Sequence, residues 1–330
     1  MTSKRKSNIS RLSSKSYIAT VLGSILLVSL CFIGLNYALN DYGLWRDQKM
    51  PPRIYGDPLT AKYLMSLRAM PREYNSLLIG PSVSANIETG DISSLRMYNL
   101  SVQGANIIRL RPAIEAFMAE NKNPGTLIFC LYPYITNNLE LSPSKIYEEP
   151  DRSALFSTVP ARALMTRVTD VFSAEEPYDH SAQGMIDISE IKKANRPPFS
   201  DYALKLEKKK DKLQKTRQLT PHERIVDPHA YDVLNEVLEE ARAKGYKIIA
   251  YYYPLNYRDY QVRNLNGEWP YFEQMMGRLF KADEPVWNFN ADSYNYIRRN
   301  DQAYMDNHFN RNGADLFARA LDQKLATLPR

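Results

Sequence analysis

The chain has 330 residues, 44% of them hydrophobic, enough to fill the core of one large domain with attachments or of two small ones, so disorder as a whole is excluded. Its net charge of +6 comes from 43 basic against 37 acidic residues, but Lys4, Arg5, Lys6, Arg11 and Lys15 stand in a tail, residues 1–16, that holds no acid. The remainder is almost neutral, which argues against a nucleic-acid partner.

The first element follows that tail. Between Lys15 and Asp41 there is no charged residue, and residues 17–39 read YIATVLGSILLVSLCFIGLNYAL. At about 1.5 Å per residue such a helix is roughly 35 Å long, sufficient to cross a hydrocarbon core of about 30 Å. A cleaved signal peptide would have a shorter apolar region, about 7–15 residues, ending in a small-residue cleavage site, and no A-x-A pattern follows this one. We read an uncleaved signal anchor. The positive tail places the N-terminus in the cytoplasm, so the chain from about residue 40 onward is expected on the far side of a bacterial inner membrane, in the periplasm. ATP- or NAD-dependent chemistry is out of place there, no phosphate-cradling glycine loop is present, and no cofactor is expected.

A juxtamembrane stretch, residues 40–70, carries turn signals at Pro51, Pro52, Gly56 and Pro58. Alternating strands and helices follow. Residues 76–79 form an apolar run ending at Gly80-Pro81; a helix after Gly104 has Ile107, Ile108, Ile114, Phe117 and Met118 near one face; and residues 126–132 (TLIFCLY) form a second strand. Val233, Leu234, Val237, Leu238 and Ala241 stripe a later helix ending at Gly245, before the strand at residues 247–253, and a last helix carries Leu316, Phe317, Leu321 and Leu325. Strands apolar throughout, alternating with amphipathic helices, predict an α/β fold: a three-layer α/β/α sandwich on a mainly parallel sheet, spanning residues 71–330. Sites in such sheets lie at the carboxyl ends of the strands.

Between about residues 137 and 228 the periodicity weakens, and we read an insertion or cap. Its densest part, residues 205–224, has eight basic and three acidic residues. A solvated helix accounts for it, with anionic headgroups or an acidic polymer as the alternative. The two cysteines exclude a disulfide framework and a cysteine-based zinc cluster; Cys31 lies in the most apolar segment and Cys130 in a predicted strand, so both are expected unpaired, and no metal site is expected.

A serine on a strand–turn–helix projects its hydroxyl from the strand end, with backbone N–H groups aimed at a developing oxyanion. Ser82, in the segment GPSVSAN at residues 80–86, has that placement; an ordinary turn or helix cap has it too. A serine nucleophile needs a base, and there are four histidines. His180, His222 and His229 stand among prolines and charges, as surface residues do, whereas His308 follows Asp306 in YMDNHFNRNG, just before the last helix.

On these residues the sequence resembles a family. IGPSVSAN, NLSVQGAN about twenty residues later, and DNHFNRNGADLFARAL near the C-terminus are similar to the first, second and last blocks of the SGNH/GDSL hydrolase superfamily. The nearest branch is the membrane-anchored, extracytoplasmic one that includes the teichoic acid D-alanine transfer protein and the alginate O-acetylation proteins. The resemblance implies Ser82 as nucleophile, His308 as general base and Asp306 as its orienting acid, with the N–H groups of Ser82 and Gly104 in the oxyanion hole. Three departures stand out. Pro81 replaces the usual Asp or Ser. The G-x-N-D block is absent, its place taken by Tyr132-Pro133-Tyr134, so that Asn86, Gln103 or Asn106 would have to supply the side-chain donor. One residue rather than two separates Asp306 from His308, which leaves Asp301 or Asp292 as alternative partners.

Residues 251–296 are rich in aromatic rings, which suit either a core or the apolar faces of sugars. Tyr257, Tyr260 and Trp269, following a strand's carboxyl end, are the candidate glycan contacts. The expected activity is a serine-dependent acyl transferase or esterase on a cell-envelope or exported polysaccharide, with a multi-spanning membrane acyltransferase as a partner. The alternative is a catalytically degenerate glycan-binding or scaffolding component of a polysaccharide synthesis complex.

Overall fold

The computed structural model of the chain describes residues 14–46, 54, 57–137, 181, 183–187, 199–216 and 219–328. Most of the insertion expected at about 137–228 lies outside these residues, as do His180 and nearly all of the basic tail.

Helix α1 (Ser14–Leu39) has 26 residues, exposes its aliphatic side chains, and is long and apolar enough to cross a membrane. It stops at Asn40, whose φ of 48° is left-handed and ends the helical path. The Asn40 side chain then closes the next turn, accepting from Trp45 N (3.1 Å) and donating to Arg46 O (2.9 Å). Within that turn Gly43 has φ +66°, and a Cβ there would stand 2.9 Å from the Ala69 Cβ.

Ala69 belongs to α2 (Pro58–Glu73), a helix lying mostly in the stretch read from sequence as juxtamembrane. Pro58 initiates the helix: it occupies the first helical position, where its missing N–H costs nothing, and the Asp57 side chain accepts from Thr60 N at 2.8 Å. Leu59, Tyr63, Leu64, Met65 and Met70 are buried, so α2 is part of the core.

Five parallel strands form one sheet in the order β2-β1-β3-β4-β5, from β1 (Ser76–Ile79), β2 (Met97–Asn99), β3 (Thr126–Leu131), β4 (Lys247–Tyr252) and β5 (Val286–Asn288). β3 and β4 pair over six residues, from Thr126 opposite Lys247 to Leu131 opposite Tyr252. Every residue of β3 is buried although alternate side chains point to opposite faces, so both faces are covered. The chain leaves β1 toward β2 on one side and returns to β3 on the other, so the reversal of strand order falls between β1 and β3, where open parallel sheets place their ligands.

Two helices show how the sequence builds the cover. α4 (Ile107–Glu120) buries Leu110, Ala113, Ile114 and Phe117 at helical spacing and packs on α2. A later helix (Pro228–Ala243) is capped by Asp227, whose side chain accepts from Ala230 N (2.9 Å), and buries Val233, Leu234, Val237, Leu238 and Ala241. Each buried Val, Leu, Ile or Phe side chain among them contributes about 1.5–3 kcal/mol when taken out of water. That helix ends at Gly245, φ +81°, a conformation that favours glycine. The short helix α3 (Ser82–Ala85) follows β1, and α5 (Phe199–Thr216) carries much of the basic segment with Leu206 its one buried residue. Numbering the Pro228–Ala243 helix α6, the chain continues with α7 (Tyr257–Leu265), α8 (Glu268–Met276), α9 (Asn295–Arg298) and α10 (Arg311–Leu325).

Candidate active site

Ser82 opens α3 directly after β1 and the Gly80-Pro81 turn. No side chain fits at Gly80, because a Cβ would collide with Ser84 Oγ and Cys130 Cβ. The turn is held from below: Ser84 Oγ donates to Pro81 O (3.0 Å) and is hydrogen-bonded to Ser101 Oγ (2.9 Å). Asn99, at the end of β2, donates through Nδ2 to Ser84 O and Ile87 O (both 2.8 Å) and accepts from Ser101 N through Oδ1 (3.0 Å).

Lys62 on α2 completes this support. It is fully buried and its Nζ donates to Asn99 O (2.7 Å) and Ser101 O (2.6 Å), tying α2 to the loop that runs on to Gly104. Burial drives its ammonium well below the usual lysine range. Sequence reading missed Lys62 because α2 itself was missed; a lone lysine among the apolar residues of an amphipathic helix was the available signal.

His308 arrives from a tight hairpin before α10. Tyr304 and Phe309 form an antiparallel bridge, and Met305 N donates to His308 O at 3.1 Å. Asn86 Nδ2 donates to Phe309 O (2.8 Å) and Tyr253 Oη accepts from Phe309 N (3.0 Å), which docks the hairpin on the carboxyl ends of β1 and β4. As a result Ser82 Oγ lies 2.8 Å from His308 Nε2, and His308 Nδ1 lies 2.8 Å from Asp306 Oδ1. The same Asp306 oxygen accepts from His308 N (2.9 Å), so one intervening residue is sufficient for the carboxylate to reach the ring. An ionised carboxylate can only accept, which puts the proton on Nδ1 and leaves Nε2 to accept from the serine hydroxyl. The two alternative acids are engaged elsewhere: Asp301 accepts from Arg258 (2.7 Å) and Asn256 (3.2 Å), and Asp292 from Asn295 (3.2 Å).

Where the G-x-N-D block would stand, the Tyr132 hydroxyl accepts from Asn307 Nδ2 (2.9 Å) and Arg263 Nη2 (2.7 Å). Arg263 is also paired with Asp259 (3.1 Å) and Glu268. Burial alone would lower its affinity for the proton; Asp259, Tyr132 and Glu268 more than offset this and raise it.

Asn106 caps α4, accepting from Arg109 N (3.1 Å) and donating to Asn137 O (2.7 Å), and neither bond involves Ser82. Gly104 has φ +67° with open space where a Cβ would point. Trp269 is a correction to the sequence reading: it is fully buried, donates to Glu273 (2.8 Å) and packs against Tyr252, Tyr260 and Phe272, so it is core rather than a ligand contact. Tyr257 and Tyr260 are half-buried and lie against arginines, with Arg299 4.2 Å from the Tyr257 ring centre and Arg298 4.6 Å from that of Tyr260. His222 is exposed and stacks on Tyr271 at 3.8 Å, and His229 is exposed. Cys31 and Cys130 are unpaired, and burial raises the Cys130 thiol to about 12, which leaves it inert.

The chain matches no described protein family and no curated protein sequence. Among solved structures it is similar to a Streptococcus pneumonia protein described provisionally as a platelet activating factor, with a TM-score of 0.40 and 10% identity over 81% of this chain and 91% of that one.

Proposed function

We propose that this protein is a membrane-anchored acyl transferase or esterase with an SGNH-like three-layer domain, acting on a cell-envelope or exported polysaccharide. The observation that carries the reading is the hydrogen-bonded chain Ser82–His308–Asp306 at the carboxyl edge of a parallel sheet. Ser82 Oγ attacks the ester carbonyl carbon while its proton passes to His308 Nε2. The tetrahedral oxyanion is met by the N–H groups of Ser82 and Gly104. Its collapse expels the alcohol, which takes the proton back from Nε2 and leaves an acyl group on Ser82. A sugar hydroxyl or water, deprotonated by the same nitrogen, releases that acyl group. Asp306 holds the ring and stabilises the imidazolium.

Helix α1 supplies the anchor, with the basic tail in the cytoplasm and the domain in the periplasm. A multi-spanning membrane acyltransferase would deliver the acyl group. The test is Ser82→Ala in the full chain. Polysaccharide acylation and acyl-enzyme formation are expected to vanish while the protein stays folded and membrane-bound; unchanged acylation would leave a glycan-binding or scaffolding role in its place.

A further inference from the structure

The α9 helix ends in a residue that the triad does not use. Arg298 is 2% exposed, and among the described residues its Nε and Nη2 atoms have no hydrogen-bond partner. Its side-chain bond among those residues runs from Nη1 to Asn295 Oδ1, long at 3.4 Å. Nε and Nη2 are the two donors that point in parallel from one edge of a guanidinium, the edge that grips a carboxylate in a bidentate fork. A buried cation with that edge empty is expensive unless something fills it.

The surroundings fit a ligand. The guanidinium carbon lies 4.6 Å from the Tyr260 ring centre and 6.0 Å from that of Tyr257, so the fork sits over two rings. Both tyrosines are half-buried, and Arg299, exposed, lies over the Tyr257 ring at 4.2 Å, so accessible ring surface and a second positive charge adjoin the fork. Tyr257 and Tyr260 belong to α7, which follows the carboxyl end of β4, and α9 follows that of β5, so the fork stands on the same sheet edge as Ser82. Arg298 also acts electrostatically on Tyr304, the first residue of the Tyr304–Phe309 bridge that carries Asp306 and His308.

We infer that Arg298 is the anchor of a carboxylate subsite, its Nε and Nη2 donating to the two oxygens of a carboxylate carried by the molecule that Ser82 acts on, with Tyr257 and Tyr260 against the body of that molecule. The identity of the ligand as substrate rests on the acyl-transfer reading; binding itself does not require turnover, so the two can fail separately.

The experiment is calorimetric titration of the detergent-solubilised full chain with sodium glucuronate, with glucose and sodium chloride as controls at matched ionic strength. Wild type and Ser82→Ala should bind glucuronate at least tenfold more tightly than glucose, and acetate should compete. Arg298→Gln should abolish that preference, and Arg298→Lys, which keeps the charge but not the fork, should weaken it about tenfold. If Arg298→Gln does not fold, Tyr260→Leu should weaken binding tenfold by removing the ring beneath the fork. Absence of any preference in wild type, its persistence in Arg298→Gln, or unweakened glucuronate binding in Tyr260→Leu, overturns the subsite. Arg298-dependent binding together with Ser82→Ala that acylates normally would sink the acyl-transfer reading and leave the subsite standing.

Discussion

Asn307 donates to the hydroxyl of Tyr132 across 2.9 Å, and that bond joins the residue between Asp306 and His308 to the first residue after β3. The hairpin is thereby fixed to the carboxyl edge of the sheet. Tyr132 also receives Arg263, so one phenol oxygen gathers two elements.

Tyr132→Phe removes that acceptor and leaves two donors facing a ring edge. Each unsatisfied buried group costs about 1–3 kcal/mol, and Arg263 retains Asp259 and Glu268, so a loss of about 2 kcal/mol in stability is expected. Because the hairpin carries the base, kcat should fall with little change in KM. Denaturant titration and steady-state esterase kinetics on p-nitrophenyl acetate measure the two effects; an unchanged kcat would show that the bond does not position His308.

Asp306→Asn should cost far more in rate than in folding. An amide in place of the carboxylate presents a donor to Nδ1 and favours the wrong tautomer, a change worth roughly 10⁴-fold in kcat where it has been made in a Ser–His–Asp triad. Asp301→Asn should leave the rate within a few-fold, since Asp301 is bound to Arg258 and Asn256. Comparison of acyl-enzyme burst rates for the two variants decides which carboxylate orients the ring.

The Lys62 amine gives a pH-dependent signature. Its folded pKa is depressed by burial, so between that value and about 10.5 the unfolded chain holds one proton more, and stability contributed by this group rises with pH by about 1.4 kcal/mol per unit. Lys62→Met deletes this contribution and strands two carbonyls. The stability gap between wild type and Lys62→Met, read from urea midpoints, should therefore widen from pH 7 to pH 9; a constant gap would mean that the amine is not titrating as its burial demands.

Above pH 10 the sign reverses. Tyr98, Tyr132, Tyr251, Tyr253 and Tyr304 are buried and their hydroxyls are raised above 10 chiefly by that burial, and Tyr74 is raised to about 12. Groups raised in the folded state contribute stability that is complete below the unfolded pKa and disappears as pH climbs through the folded one. Tyrosinate absorbance near 295 nm should consequently appear together with loss of secondary structure. Ionisation that runs ahead of unfolding would contradict the packing around these rings.

The sequence was legible where the physics is local. β1, β3, β4, α4 and the Pro228–Ala243 helix each announce themselves by an apolar run or a 3.6-residue stripe, whereas Ser82 stands in a turn of ordinary composition and gains meaning only when read together with His308. β2 and β5 have three residues each, too few to establish a period, and they are strands because β1 and β4 offer them an edge. Pro58 reads as a turn signal, yet it starts a helix because Asp57 caps it. Trp269 was ambiguous for the opposite reason: aromatic composition does not distinguish a core ring from a sugar platform. Arg263 and Arg298 were invisible because their meaning lies in what they face across the fold, and Lys62 went unread because its helix did.

The turn after α1 has a consequence for reach. Asn40 closes it, Gly43 nestles against Ala69, and Arg68 of α2 hydrogen-bonds Leu44 O, so the end of the apolar helix is stitched to the body of the domain with no slack between them. On the function proposed above, with α1 in a bilayer, this stitching would hold Ser82 on a short leash next to the membrane surface and would confine acyl transfer to polymer near its point of emergence.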